Sequence, residues 1–300
     1  MVTGEHLPAS ADYQILVNGR PTPDQLTASP FLQTVIIPWA GLSVPTRELL
    51  MQHPDLAVHN LHHNAVTTAE SALMLLLAAA KLILPVERQF RRQDWRPRYL
   101  DPNASLMLHG KTVLVLGYGS IGQQVAKVCQ AMGMRVLATR RSLEGAQAGD
   151  PYSEVFPAGD LHQLLPQANV LVITLPLTVE THALIGEQEL NLLPEKSILV
   201  NVARGPIVDQ KALYEALKAG RLHSAGLDVW YHYPADEASR AHTPPADFPF
   251  HELDNVVMSP HRGGSSRESG LLRMQHLAEL LNMAAQGKAL PNKVSLEKGY

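Results

Sequence analysis

The chain has 300 residues, enough for two domains of ordinary size, with 45% hydrophobic residues and a formal net charge of −3. Such a balance gives no electrostatic footprint for DNA, RNA or an anionic membrane surface. The single cysteine, Cys129, excludes an internal disulfide; the opening residues show no leader pattern and no apolar run is of bilayer length, so a reducing, cytoplasmic location is expected.

Residues 14–18 (QILVN) and 33–37 (QTVII) read as strands, and Pro21, Pro23 and Asp24 open a short helix between them. Another helix and strand follow Trp39-Ala40-Gly41, which makes a small βα domain. Residues 67–84 form a long helix, apolar nearly all round, as expected of a helix buried between two bodies of protein. The segment 87–98 then gathers Arg88, Arg91, Arg92, Arg96 and Arg98 around Phe90 and Trp95. Glu87 and Asp94 interrupt its charge, which favours a solvated arm reaching a partner subunit over a nucleic-acid surface.

Residues 111–141, KTVLVLGYGSIGQQVAKVCQAMGMRVLATRR, organise the second half. A run of β-formers ends in Gly117, Gly119 and Gly122, and apolar residues at helical spacing follow. One glycine makes the tight turn, one lets backbone approach a pyrophosphate, and one lets helix and strand pack closely, while the helix N-terminus offers its unpaired N–H groups. A second strand at 135–139 falls where a Rossmann unit needs it. Gly117, Gly119, Ser120, Ile121 and Gly122 are therefore expected to hold a dinucleotide. A carboxylate at the end of that strand would bind the ribose 2′-hydroxyl of NAD; the chain places Arg140 and Arg141 there, and two guanidiniums suit a 2′-phosphate. NADP(H) is predicted over NAD(H).

Strands then alternate with helices, at 112–116, 135–139, 169–174, 197–202, 223–229 and 255–258, with the continuous Val, Ile and Leu content of parallel strands covered on both faces. The expected fold class is α/β, with a doubly wound parallel sheet over 101–264 and a smaller domain from 1–100 and 265–300. An amphipathic helix at about 265–286 leads back to the smaller domain. Cys129 sits among Val125, Val128 and Met132, a packing position rather than a catalytic one.

Three loops at carboxyl ends of predicted strands carry polar groups, where open α/β sheets bind ligands. Arg204 follows a buried strand directly and precedes a Gly-Pro turn, Asp228 lies in SAGLDVW, and His261 follows a strand beside Gly263-Gly264. An imidazole in that place is a candidate general acid/base. His62 and His63 are adjacent, but loop neighbours seldom face one ion and no Cys/His/Asp cluster joins them, so no metal is expected.

The motifs LGYGSIG, LPLTVETHALIGEQELNLLPEKSILVNVARGPIVDQKALYEALKAGRLHSAGLDVW and NVVMSPHRGG resemble the D-isomer-specific 2-hydroxyacid dehydrogenase family, in order and over about residues 11–285. The resemblance implies a hydride transfer between a nicotinamide and the 2-carbon of a small 2-oxo or 2-hydroxy acid. It implies that Arg204 holds the substrate carboxylate and that His261 exchanges the proton with the 2-oxygen. Asp228 would lie near the nicotinamide carboxamide; Pro176, Thr181 and Val202 would border the cofactor. Backbone of the loop holding Ala40 and Gly41 would help bind the carboxylate, and a homodimer is implied. Glyoxylate and hydroxypyruvate are the substrates the resemblance suggests, with NADPH.

Two departures stand out. Relatives usually place a glutamate five residues after the GLDV aspartate, to pair with the histidine; here Tyr233 occupies that position. A phenol can hydrogen-bond the imidazole but carries no charge at neutral pH, so the His261 pKa should lie lower than in a His-Glu relative and reduction should fall off at lower pH. The start of the chain aligns with what is ordinarily the second half of the family's first domain, so a flavodoxin-like domain without its first βα unit is expected, with an exposed sheet edge or a covered one. Asn18 and Arg20 stand in the loop where relatives often supply a substrate-binding side chain. Another reading is a nucleotide-binding sensor or scaffold with little turnover, motivated by Tyr233 and opposed by the intact Arg204 and His261.

Overall fold

The computed structural model describes residues 11–100, 105–142 and 150–297. It divides into two compact units, Met1–Asn64 with Ser266–Tyr300, and Ala65–Ser265. The expected break at 100/101 borders residues 101–104, which lie outside the described residues, as do the first ten residues read as free of a leader. The division comes earlier than expected because the long apolar helix packs as part of the larger unit, on its sheet.

In the smaller unit, β1 (Ile15–Val17), β2 (Thr34–Ile37) and β3 (Ala57–Asn60) form a parallel sheet in the order β1-β2-β3. Their connections are α1 (Pro23–Thr27) and α2 (Val44–Met51). Both helices start on sequence signals: Thr22 and Gln25 close a capping box on α1, and the Ser43 hydroxyl caps α2 ahead of Pro45. Alternation along β2 sends Val35 and Ile37 into one apolar cluster with Leu26, Leu50 and Val58, and Ile36 into another with Leu61 and Leu280 of the C-terminal helix, Ser269–Ala285.

The larger unit opens with α3 (Ala65–Lys81), α4 (Ile83–Phe90) and α5 (Pro97–Leu100). It continues through β4 (Thr112–Leu116), α6 (Ser120–Ala131), β5 (Arg135–Arg140), β6 (Glu154–Pro157), α7 (Leu161–Leu164), β7 (Val170–Ile173), α8 (Glu187–Leu192), β8 (Ser197–Asn201), α9 (Gln210–Lys218), β9 (Leu222–Leu227) and β10 (Val256–Met258). The seven strands are all parallel, in the order β10-β9-β8-β7-β4-β5-β6. The chain winds outward from β4 through β5 to β6 and returns to β7 on the other side, so the direction reverses between β4 and β7. In such sheets ligands lie at the carboxyl ends of the strands flanking that reversal. β6 is absent from the predicted strands; its four residues end in Pro157 at a sheet edge, where a proline is tolerated and a pattern is too short to read.

Side chains alternate between two cores. Leu114, Leu116, Leu171 and Ile173 face one, and Val113, Val115, Val170 and Val172 face the other with Ala72, Leu75 and Ala79 of α3. A Cβ on Gly226 of β9 would lie 2.8 Å from the Leu75 Cβ, so the glycine lets α3 sit directly on the strand. The helix stops at Leu82, whose φ of +46° opens a 70° bend into α4. The basic segment beyond is held by ion pairs: Arg88 reaches Asp254 at 3.3 Å, and within the segment Arg96 pairs with Asp94 at 2.6 Å and Arg91 with Glu87, while Phe90 and Trp95 meet edge to face. Among the described residues no single helix is long and apolar enough to cross a membrane.

Candidate active site

The glycine turn lies at the reversal point. Gly117 has a φ of +98°, a conformation L side chains rarely adopt, and a Cβ on Gly122 would fall 2.2 Å from the Gly117 carbonyl oxygen. Gly119 differs: a Cβ there would meet nothing within 4 Å, so the turn is open on that side. Gly119 is also the N-cap of α6 and offers no side chain to the first-turn N–H groups, those of Ser120, Ile121 and Gly122. An open glycine over an uncapped helix N-terminus fits the pyrophosphate of a dinucleotide. Thr174, after β7, donates from its hydroxyl to the Gly117 carbonyl at 2.7 Å and ties the two flanking strands together.

The residues that the resemblance sets at a cofactor stand near the carboxyl ends of the neighbouring strands. Pro176 and Thr181 belong to one loop, where the Thr181 hydroxyl donates to the Pro176 carbonyl at 2.7 Å. Val202 is buried just past β8, its N–H directed to the Ile173 carbonyl at 3.4 Å. Arg140 ends β5, beside β6, and Arg141 follows it in the turn.

The turn after β8 presents Arg204. Asn201, 2% exposed, accepts the Ala203 N–H on its side-chain oxygen and donates its amide to the Arg204 carbonyl, each at 3.0 Å. Gly205 follows, and a Cβ there would lie 2.4 Å from the Trp230 carbonyl oxygen. The Arg204 turn therefore packs against the segment leaving β9, which only glycine permits. The guanidinium donates once to the Ala203 carbonyl, at 2.6 Å.

Asp228, at the end of β9, is 1% exposed, and its carboxylate is committed to the loop after β10. Its Oδ1 accepts the Ser259 hydroxyl at 2.6 Å and the Arg262 N–H at 3.0 Å; its Oδ2 accepts the Gly263 N–H at 2.8 Å. The Trp230 indole N–H donates to the Ser259 carbonyl at 2.8 Å. Between these anchors His261 has a φ of +52°, a left-handed conformation that costs a non-glycine residue of order 1–3 kcal/mol and persists only where its surroundings impose it. The resemblance put Asp228 beside the nicotinamide; here its three accepted bonds make it the anchor of the His261 loop.

His261 is exposed to solvent, yet its pKa is lowered. The causes, in order, are partial withdrawal from water and the positive charge of Arg204, with the Asp228 carboxylate acting in the opposite sense. Arg204, Asp228 and His261, from three separate loops, thus share one electrostatic neighbourhood. Tyr233 joins them, with its ring 5.4 Å from the imidazole. The phenol meets the imidazole through ring contact, and its oxygen accepts the Trp230 N–H, three residues back, at 3.2 Å. Burial raises the Tyr233 pKa, so the phenol stays neutral.

Other expected residues lie in the smaller unit. Ala40 and Gly41 form the turn after β2, where the Ala40 carbonyl accepts the Asn60 amide at 2.8 Å, and the Trp39 ring fills the space above Gly19. The Asn18 side chain is used locally, its amide donating to Gln25 and its oxygen accepting the Arg20 N–H, both at 2.9 Å. His62 and His63 have lowered pKa values from burial and from neighbouring His276, with Arg273 acting on His63 as well. Two residues carry roles that sequence reasoning did not assign. Ser259 stood in the SPH motif, so its place was visible though its bond to Asp228 was not. Ser71 gave no signal, since it lies in an apolar helix 192 residues from the Gly263 carbonyl that its hydroxyl meets.

A seven-stranded parallel sheet with a glycine turn at its reversal point is the framework of a dinucleotide-binding protein of the Rossmann type. The comparisons make the assignment specific. The NAD-binding domain of the D-isomer specific 2-hydroxyacid dehydrogenases matches residues 73–263, and the chain belongs to that family. It is 37% identical over 264 residues to D-3-phosphoglycerate dehydrogenase of Archaeoglobus fulgidus, covering 87% of this chain and 47% of the relative. It is also 37% identical over 240 residues to glyoxylate reductase of Aeropyrum pernix, covering 77% and 66%. A D-isomer specific 2-hydroxyacid dehydrogenase from Xanthobacter autotrophicus Py2, solved with NADPH and MES, superposes with a TM-score of 0.76 at 26% identity, over 96% of this chain and 85% of that one. The chain spans from under half to about two thirds of the length of its curated relatives.

Proposed function

We propose that the protein is an NADPH-dependent reductase of small 2-oxo acids, acting on substrates of the size of glyoxylate or hydroxypyruvate and yielding the D-hydroxy acid where the product is chiral. The observation that carries the reading is the packing of three strand ends: the Arg204 turn after β8 closes through Gly205 on the segment leaving β9, and Asp228 at the end of β9 holds the loop after β10 that carries His261. A small 2-oxo acid needs one cation for its carboxylate and one proton donor for its carbonyl oxygen, and the guanidinium and imidazole supply them.

A nicotinamide bound there would supply the hydride. Gly117, Gly119, Ser120, Ile121 and Gly122 offer backbone to its pyrophosphate, and Arg140 and Arg141 favour a 2′-phosphate. Pro176, Thr181 and Val202 border the cofactor. Arg204 orients the substrate carboxylate and draws charge toward the carbonyl oxygen. His261, protonated, gives its proton to that oxygen as negative charge develops there. Tyr233 covers one side of the imidazole. The relatives named glyoxylate reductase, and the NADPH in the Xanthobacter structure, support this choice of substrate and cofactor.

The test is a panel of 2-oxo acids with NADPH and NADH. Oxidation of NADPH by glyoxylate and hydroxypyruvate, with D-glycerate as the product from the latter, supports the reading. L-glycerate, or a preference for NADH, contradicts it.

A further inference from the structure

The loop that carries His261 is held at two points. Asp228 takes the N–H of Gly263 at 2.8 Å, and the hydroxyl of Ser71, on α3, donates to the carbonyl of the same residue at 3.1 Å. There is no room for anything else at that position. A Cβ on Gly263 would lie 2.6 Å from Asp228 Oδ2 and 3.4 Å from the Ser71 Cβ. The β9 end and α3 thus close on one peptide segment, two residues after His261.

The placement of Ser71 is itself fixed. α3 packs on the sheet through Ala72, Leu75, Leu76 and Ala79, all buried, and the approach of Leu75 to Gly226 sets how closely the helix lies on β9. Further along the helix, the buried Ser224 hydroxyl of β9 donates to the Ala79 carbonyl at 2.9 Å. Ser71 is therefore a rigidly mounted donor. Its acceptor belongs to the one loop in which a non-glycine catalytic candidate holds a left-handed backbone, His261 with a φ of +52°. Without something to impose it, that residue relaxes toward the common regions of backbone space and its ring is redirected.

We propose that Ser71 is a positioning residue for the reaction: with Asp228 it grips Gly263 by both its N–H and its carbonyl, and so holds His261 in the left-handed conformation that sets its imidazole against the Tyr233 ring. The proposal rests on the reading of His261 as the proton donor and adds to it a residue outside the three strand-end loops.

The experiment compares Ser71→Ala, which removes the donor, with Ser71→Thr, which keeps a hydroxyl at the same carbon. The first readout is the His261 pKa by NMR titration of the protein alone, with His261→Asn identifying the resonance. The second is kcat and KM with NADPH and glyoxylate. Ser71→Ala is expected to move the His261 pKa upward, as the imidazole gains water and leaves Arg204, two effects that outweigh the opposing loss of Asp228, and to lower kcat roughly fivefold, the worth of one ordinary hydrogen bond, with KM for NADPH unchanged. Ser71→Thr is expected to restore both values. Wild-type pKa and kcat in Ser71→Ala overturn the proposal. So do equal losses in the Ala and Thr variants with the His261 pKa unmoved, which mark Ser71 as a packing residue only. Full turnover in His261→Asn overturns the proton-donor reading instead, and is distinguished by a His261 pKa that still responds to Ser71.

Discussion

The Tyr233 ring lies 5.4 Å from the His261 imidazole, centroid to centroid and tilted by 59°, while its hydroxyl accepts the Trp230 N–H at 3.2 Å. The contact covers the imidazole without offering it charge. Tyr233→Phe is therefore expected to leave the pH midpoint of reduction in place and to cost about 1 kcal/mol or less of stability, since the lost bond is to backbone and half-exposed. Tyr233→Glu is expected to raise the His261 pKa and extend reduction to higher pH. Profiles of kcat/KM against pH for the three proteins check both, and an unchanged Tyr233→Glu profile contradicts the account.

Asp228 carries three hydrogen bonds on a carboxylate that is 1% exposed. In Asp228→Asn an amide NH₂ must face at least one backbone N–H or the Ser259 hydroxyl, leaving buried donors opposed. A loss of roughly 2–3 kcal/mol is expected, read as a lower midpoint in denaturant. Because Asp228 raises the His261 pKa, the remaining reduction should also fall off at lower pH than in the wild type. Wild-type stability in this variant contradicts the anchoring role.

Much of this arrangement was readable from residue patterns because it is local. The strand, glycine turn and helix at 112–131 declare themselves through spacing alone, and six of the seven strands of the larger sheet fall within about two residues of expectation. What escaped depends on contacts between distant segments. Ser71 looks like any hydroxyl in an apolar helix until the fold brings Gly263 to it, and the α3 boundary follows from packing on β8 and β9 rather than from composition. The Tyr233 ring meets the His261 imidazole, and the Trp230 N–H that its phenol oxygen accepts has no sequence signature.

Arg140 and Arg141 give a sharp cofactor test. Replacing both with alanine removes the cations proposed for the 2′-phosphate, so KM for NADPH should rise by roughly 10- to 100-fold while KM for NADH changes little. Equal changes for the two cofactors would place these arginines elsewhere.

Acid should destabilise the fold. His62, His63, His223 and His261 all have pKa values below the ordinary value of about 6.5, chiefly from burial. A histidine held neutral in the folded state contributes stability that is fully present above its unfolded pKa and is lost as pH falls below about 6.5 toward the folded pKa. The Tm should fall between pH 7 and 5, and His63→Gln, which removes a ring whose Nδ1 is buried without a hydrogen-bond partner, should flatten that slope. A Tm independent of pH over this range contradicts the assignment.

The central claim is that Arg204 and His261 serve one small carboxylate beside a nicotinamide. Single-turnover oxidation of NADPH by glyoxylate, followed in the wild type, His261→Asn and Arg204→Gln, tests it most directly. The account predicts rapid oxidation in the wild type that slows at least 100-fold in His261→Asn, roughly the weight of a positioned general acid, and a loss in Arg204→Gln expressed mainly as weaker glyoxylate binding. Tight NADPH binding with no oxidation in the wild type, or oxidation indifferent to both substitutions, would contradict it.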